Sequence, residues 1–314
     1  MDPADRVERR LKLHDLRVLM TVVRAGSMGK AADQLRTSQP AISRAIADLE
    51  RMLGVPLLDR GSRGVEATSF GRLVINRSTT VFDELRQTVR DIEFLSDPAA
   101  GEVRIATSIA VAISFVSAVI DRLSKKYARL SFDVLSTDNV TARRALDERR
   151  VDLVIGHLIE PVPDGMTTEV LFHEPHVVVT GSKSPLLRRH RLRLGDLIDE
   201  RWMLPPPDSP FGSIVREAFR AEGLDLPRAV VTSLLPLRGS LLTTGRFLTM
   251  VPRVVSGITT DRQMFRCLPL SLPKTLRPFG IVTVRNRSLS PAAELFIDHV
   301  RKLAAIVSKQ AGRP

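Results

Sequence analysis

The chain has 314 residues, 43% of them hydrophobic, and a mean hydropathy of +0.01, which excludes a disordered or fibrous protein and leaves room for two or three cored domains. The formal charge of +12 suggests nucleic acid, but residues 1–100 carry 16 basic and 14 acidic side chains against 31 and 21 in the remainder; the excess fits attraction to DNA, an anionic ligand or an arginine-rich proteome equally. A single cysteine, Cys267, excludes an intramolecular disulfide and a cysteine zinc site and fits a reducing compartment.

No apolar run reaches membrane-spanning length, and the start MDPADRVERRLK has no apolar signal core. A cytoplasmic location without membrane contact is therefore expected. Further on, Ser27 is placed to cap a helix whose inward residues Ala31, Ala32 and Leu35 are small enough for a second helix to cross closely. Arg36-Thr37-Ser38 makes the turn, Ser38 caps the second helix, and Pro40 sits in its first turn, where a missing N–H costs nothing. Ile42, Ile46, Leu49 and Leu53 recur at steps of four, three and four, so they share one face. A basic hairpin follows, with Arg60 and Arg63 flanking the Gly61–Gly64 turn.

Two helices, a tight turn and a basic hairpin spell a winged helix-turn-helix. The second helix of that motif presents its polar first turns to base edges in the major groove, while hydroxyls, N–H groups and arginines hold phosphates. Gln39 suits adenine and Arg44 suits guanine or phosphate; Thr37, Ser38 and Ser43 suit phosphate or base contacts. Arg60 and Arg63 on the wing fall beside the minor groove. The competing reading of the segment is a helical hairpin with a solvated charged face.

The motif resembles the N-terminal domain of LysR-type transcriptional regulators. Their pattern is matched by Ser27, Ala31, Ala32, Leu35, Ser38, Gln39, Pro40, Ala41, Ser43, Ile46, Leu49, Glu50, Leu53 and Gly54. Leu58 stands where that family usually has Phe, and Phe70 where it has Ala; both departures touch packing under the wing. Gly29 is a mild oddity, since a mid-helix glycine costs about 1 kcal/mol against alanine.

From Ser69 to about Ser96 there is no proline and no glycine after Gly71, and Ile75, Phe82, Leu85, Val89 and Ile92 mark an apolar seam on a long helix. The resemblance implies that this linker pairs with its counterpart in a dimer. Asp97-Pro98-Ala99-Ala100-Gly101 reads as a hinge. Beyond it, short apolar strands alternate with amphipathic helices. Strands are expected at 103–107, 130–135, 152–156, 176–180, 201–204, 229–232, 247–251 and 280–284, with helices at 109–126, 140–149 and 211–222 and a last one that Ser290 caps and Pro291 begins. That alternation implies parallel sheets with covering helices. Two α/β lobes result, with crossovers expected near 171–173 and 268–271.

The resemblance implies a two-lobed, periplasmic-binding-protein-like effector domain. Ligands in open α/β sheets sit beyond the carboxyl ends of strands, where this chain has Thr107, Ser108, Thr137, Asp138 and His157 in the first lobe, and Pro206, Ser209 and Gly239-Ser240 in the second. Free N–H groups and hydroxyls there favour an anionic or polar ligand, although Ser108, Thr137 and Ser209 read equally well as helix caps. His173-Glu174-Pro175-His176 is discounted as a metal site because Pro175 would break the helix that such a pair needs. Cys267 reads as core. No G-x-S-x-G, Walker loop or H-E-x-x-H occurs, so catalysis has no anchor.

The sequence thus predicts a multidomain α/β protein: a winged helix-turn-helix DNA-binding domain over 1–68, a linker dimerisation helix and hinge over 69–100, and an effector-binding domain over 101–314. Its first lobe takes about 101–171 and 271–314, its second about 172–270. The expected function is transcription regulation by operator binding that a small-molecule effector modulates, with no enzyme activity, cofactor or metal. Expected partners are double-stranded operator DNA, the effector, a second copy in a homodimer or homotetramer, and the transcription machinery. The alternatives are an effector-independent architectural DNA binder and a solute-binding or enzymatic α/β protein whose helices serve assembly.

Overall fold

The computed structural model describes residues 10–61, 64–97, 100–158, 161–253 and 265–311. Contacts divide the chain into two units, Met1–Thr88 and Val89–Pro314. The first unit contains α1 (Leu13–Ala25), α2 (Met28–Gln34), α3 (Gln39–Leu53) and the hairpin β1 (Leu58–Gly61) and β2 (Gly64–Ala67); α4 (Ser69–Ser96) begins in it and runs past the division. The α2 and α3 helices meet through Ala31 and Ala32 against Ile42 and Ile46, over a core that Val18, Leu19 and Val22 of α1 complete. Small side chains at the crossing let the helices close without a cavity. Arg36 takes a left-handed φ of 51° in the turn between them.

Two contacts lock the hairpin onto the helices. Val65 N–H donates to the Gly26 carbonyl at 3.0 Å, and a Cβ at Gly64, whose φ is +118°, would lie 2.8 Å from that same oxygen. Glu50 Oε1 accepts from the N–H groups of Leu57 and Leu58 at 2.7 and 3.1 Å, tying α3 to the strand it precedes. Leu58, in the place where phenylalanine is usual, is buried in this core. Phe70 is exposed.

The second unit holds two five-stranded sheets. Sheet I has the order β4 (Arg129–Ser136), β3 (Ala100–Thr107), β5 (Leu153–His157), β12 (Arg277–Val284), β6 (Met166–Glu174); sheet II has β11 (Phe265–Cys267), β7 (His176–Gly181), β10 (Phe247–Pro252), β8 (Arg201–Leu204), β9 (Ala229–Val231). A long helix α5 follows β3 in three parts, Ile109–Val111, a π-helical turn Ala112–Val116, and Ser117–Lys126. The remaining helices are α6 (Asn139–Asp147), α7 (Pro210–Ala221), α8 (Leu235–Thr243) and α9 (Pro291–Ala311). Phe115, Phe279 and Phe296 lie in a core shared with Val177, Val179 and Met203 of sheet II.

The sheets are mixed, not parallel as the alternation suggested: β3 runs parallel to β4 and β5, but β12 is antiparallel to both β5 and β6, and β7 is antiparallel to β10 and β11. Alternation constrains only βαβ units, and the strands beside the crossovers are not part of one. Strand β6 and helix α8 were not anticipated. Gly239 and Ser240 lie inside α8 instead of in a loop at a strand end. The first crossover falls at Pro175, between β6 and β7, and the second between Cys267 and Arg277. Cys267 is exposed, not core, because β11 is an edge strand.

One buried ionic group holds sheet I. Asp152, immediately before β5, accepts from the Arg104 backbone N–H at 2.9 Å and from its Nη2 at 2.6 Å, and from Arg287 Nη2 at 3.2 Å; Arg287 Nη1 donates to Val151 O at 2.7 Å. The carboxylate and Arg287 are both almost fully buried. Removing the anion leaves two guanidinium groups without it, so D152A should lower unfolding free energy by about 3–5 kcal/mol in urea titrations. A loss below about 1 kcal/mol would show that the group is replaceable.

Candidate nucleic-acid interface and effector site

At the start of α3, Ser38 Oγ accepts from Ala41 N–H at 3.4 Å, and Pro40 occupies the first turn. Ser27 caps α2 in the same way through Lys30 N–H at 3.1 Å. These caps end both helices sharply on one surface. Thr37, Ser38, Gln39, Pro40 and Arg44 are exposed there, and Ser43 is half-buried. A Cβ at Gly29 would come within 3.7 Å of Gln39 Oε1, an ordinary contact, so space alone does not demand glycine in α2. The Gln39 amide and the Arg44 guanidinium make no side-chain hydrogen bond to the described residues, whereas Arg51, two turns further along, is paired with Asp48 at 2.8 Å. Arg60 is exposed on β1, and Arg63 lies outside the described residues.

On α4 the expected seam divides. Ile75 packs against the helix-turn-helix core, and Phe82 is buried beneath the Arg17 guanidinium, 5.3 Å from its ring centroid. Leu85, Val89 and Ile92, spaced by four and three, are exposed. Two of the five seam residues are thus internal and three are exposed.

The strand-end residues of the second unit carry different duties. Thr107 is 1% exposed and its hydroxyl donates to Ile155 O at 2.7 Å. Ser108 caps α5 through Val111 N–H at 3.4 Å. Thr137 is half-buried, its N–H donating to Thr107 O at 2.9 Å. Asp138 caps α6, accepting from the N–H groups of Val140 and Thr141, and the Thr141 bonds hold its pKa below the usual carboxylate value. Ser209 caps α7 through Gly212 N–H at 3.0 Å and donates to Pro206 O at 2.6 Å. Three of these side chains are spent on caps and one on a strand.

The carboxyl edge of sheet I supplies something the sequence did not disclose. His157 Nε2 hydrogen-bonds Glu174 Oε2 at 2.8 Å. Its ring stacks on His176 at a centroid distance of 5.8 Å, and His176 in turn lies 5.1 Å from Phe211 at the start of α7. A line of rings therefore bridges the ends of β5, β7 and α7 beside the first crossover. His176 Nδ1 bonds to the carbonyl of Thr275 at 3.0 Å, which requires Nδ1 to carry the proton; Nε2 is then a buried acceptor without a partner. No cluster of three or more metal-ligating side chains occurs among the described residues.

Two family models divide the chain: residues 13–72 match the bacterial regulatory helix-turn-helix protein, lysR family, and residues 96–305 match the LysR substrate binding domain. The chain belongs to the LysR family of bacterial transcriptional regulators. It is 30% identical over 299 residues to the HTH-type transcriptional regulator GbpR of Azospirillum brasilense, covering 94% of this chain and 87% of GbpR. TdcA of Escherichia coli K12 is 26% identical over 295 residues, 94% of either chain. The crystal structure of the LysR-family regulator CbnR superposes with a TM-score of 0.61 at 19% identity, covering 94% of this chain and 99% of CbnR, which establishes a common fold. This LysR-family chain is accordingly a DNA-binding regulator of transcription with an effector-binding domain.

The residues missed in this regulator's sequence are His176, Glu174 and Phe211. Pro175 is their one local signal, since it separates two strands instead of breaking a helix. Burial pushes the His176 pKa from 6.5 down to about 4, with His157 and Arg277 adding to the effect and the Thr275 bond opposing it. The native ring stays neutral while the unfolded chain takes up a proton below pH 6.5. Stability is therefore full above pH 6.5 and falls as pH drops towards 4, by about 3 kcal/mol from this group. Urea titrations should show H176N losing less stability than the native chain over that interval; equal losses would remove His176 as the source.

Proposed function

We propose that residues 1–68 read operator DNA, residues 69–100 pair two copies of the chain, and residues 101–314 bind the effector, in a cytoplasmic regulator with no catalytic role. The observation that carries the reading is the exposed, uncommitted start of α3, where Gln39 and Arg44 keep all their donors and acceptors while Ser27 and Ser38 fix both helix ends. Gln39 reads adenine and Arg44 guanine or phosphate; Thr37, Ser38, Pro40 and Ser43 line the same surface, and Arg60 and Arg63 hold the backbone from the wing. Among the described residues no helix is long and apolar enough to cross a membrane, in keeping with work on chromosomal DNA.

The effector reading rests on the carboxyl edges of the two sheets. Thr107, Ser108, Thr137, Asp138, His157, Pro206 and Ser209 all lie at such ends, and the capped starts of α5, α6 and α7 bring N–H groups to them. A polar or anionic small molecule held there biases the two crossovers and, through them, the operator complex. Contacts to the transcription machinery follow from a regulator's role.

Gel shifts on operator and random DNA test the reading. Q39A and R44A should each weaken operator binding by about 1–3 kcal/mol and leave random DNA less affected. Equal losses on both would reassign the two residues to phosphate. The seam makes a second prediction. The double substitution L85D and V89D, placed on the exposed half, should halve the sedimenting mass and abolish operator affinity, because like charges would meet across a paired helix. Unchanged sedimentation would remove α4 as the pairing element.

A further inference from the structure

Arg238 lies in the first turn of α8, which follows β9, and so stands at the carboxyl edge of sheet II. Thr232 N–H donates to Leu204 O at 2.9 Å, which sets the Thr232 loop beside the Pro205–Ser209 loop that leads into α7. Only 6% of Arg238 is exposed. Its Nε and Nη2 both donate to the carbonyl of Thr232, at 3.2 and 2.6 Å, and these are the guanidinium's only hydrogen bonds to the described residues. No carboxylate among them forms an ion pair with it. Burial alone pushes its pKa down, and no acidic neighbour pulls it back. A guanidinium nevertheless keeps its proton at physiological pH.

The contrast with Arg287 is direct. That equally buried guanidinium is matched by Asp152, as buried charges ordinarily are. Arg238 has its side-on edge filled by one carbonyl, and its end-on edge, Nη1 with the second Nη2 proton, has no acceptor among the described residues. Nη1 is also not sealed from solvent. That edge is the fork that takes a carboxylate or similar oxyanion through two parallel bonds.

We propose that the end-on edge of Arg238 anchors an anionic group of the effector, a carboxylate or comparable oxyanion, at the carboxyl edge of sheet II. The proposal rests on the effector reading of residues 101–314 and adds to it the charge of the ligand and the side chain that selects it. The first turn of α8 supplies further positive potential at the same place.

Sulfate is the probe, since it offers the oxyanion without the rest of the ligand. The full chain is heated in sodium sulfate up to ~10 mM, against sodium chloride at equal ionic strength, so that a site saturates before general salt effects matter. The native midpoint should rise saturably by at least about 2 °C. R238Q should show no saturable rise, and R238K, which keeps the charge but loses the fork, should need at least about tenfold more sulfate. No rise in the native chain, or the same rise in both variants, overturns the anchor. Operator gel shifts on the same proteins separate the two claims: lost sulfate response with operator binding intact bears on Arg238 alone, and a native chain that binds no operator defeats the functional reading itself.

Discussion

Strand β12 is the constraint on which the second unit depends. It inserts antiparallel between β5 and β6, more than 100 residues upstream, so sheet I is completed by a strand that follows every strand of sheet II in the chain. The chain must leave sheet I at Pro175 and come back before Arg277. Both crossings consequently pass the same sheet edge, where Arg277 pairs in register with Glu174 and the Thr275 carbonyl holds His176. The ring line of His157, His176 and Phe211 is a product of that closure. No local segment could have assembled it.

The helix-turn-helix is built mostly on the opposite principle, with short-range bonds at its helix ends and, among the described residues, only the Val65–Gly26 bond reaching across the unit. Caps at Ser27 and Ser38, the left-handed Arg36, and the Glu50 carboxylate on the Leu57 and Leu58 N–H groups each act within a few residues. Such a unit spends its polar groups on its own ends and leaves Gln39 and Arg44 of α3 uncommitted. A recognition surface requires just that division, because a base contact must replace water, not an existing internal bond.

That difference in range decides what was legible. The two helices, their caps and the wing follow from spacings of three and four and from turn residues, all visible in a window of some forty positions. Strand β6 was hidden because its partner is β12 and its register shifts at Phe279 and Gly280. Helix α8 was hidden because it is short, Gly239 weakens its helical pattern and a buried arginine stands where an apolar residue would mark its inner face. The cap alternative held for Ser108 and Ser209 but not for Thr137, whose neighbour Asp138 caps α6 instead. Capping does not withdraw those ends from ligand chemistry, since each cap satisfies only one or two of the four free N–H groups.

Charge burial separates structural groups from receptive ones in the same unit. Asp152 gathers Arg104 and Arg287 into a group whose charges are matched inside the fold. Among the described residues the neutral His176 ring is buried with an empty acceptor, and the Arg238 guanidinium with an empty donor edge. Both stand at one edge of sheet II, His176 at the start of the antiparallel β7 and Arg238 beyond the carboxyl end of β9. A fold under selection for stability alone would fill these positions with apolar side chains, which burial favours and which need no partner. The two groups instead leave hydrogen-bonding capacity unmet at that edge, and the proposed effector site draws on it.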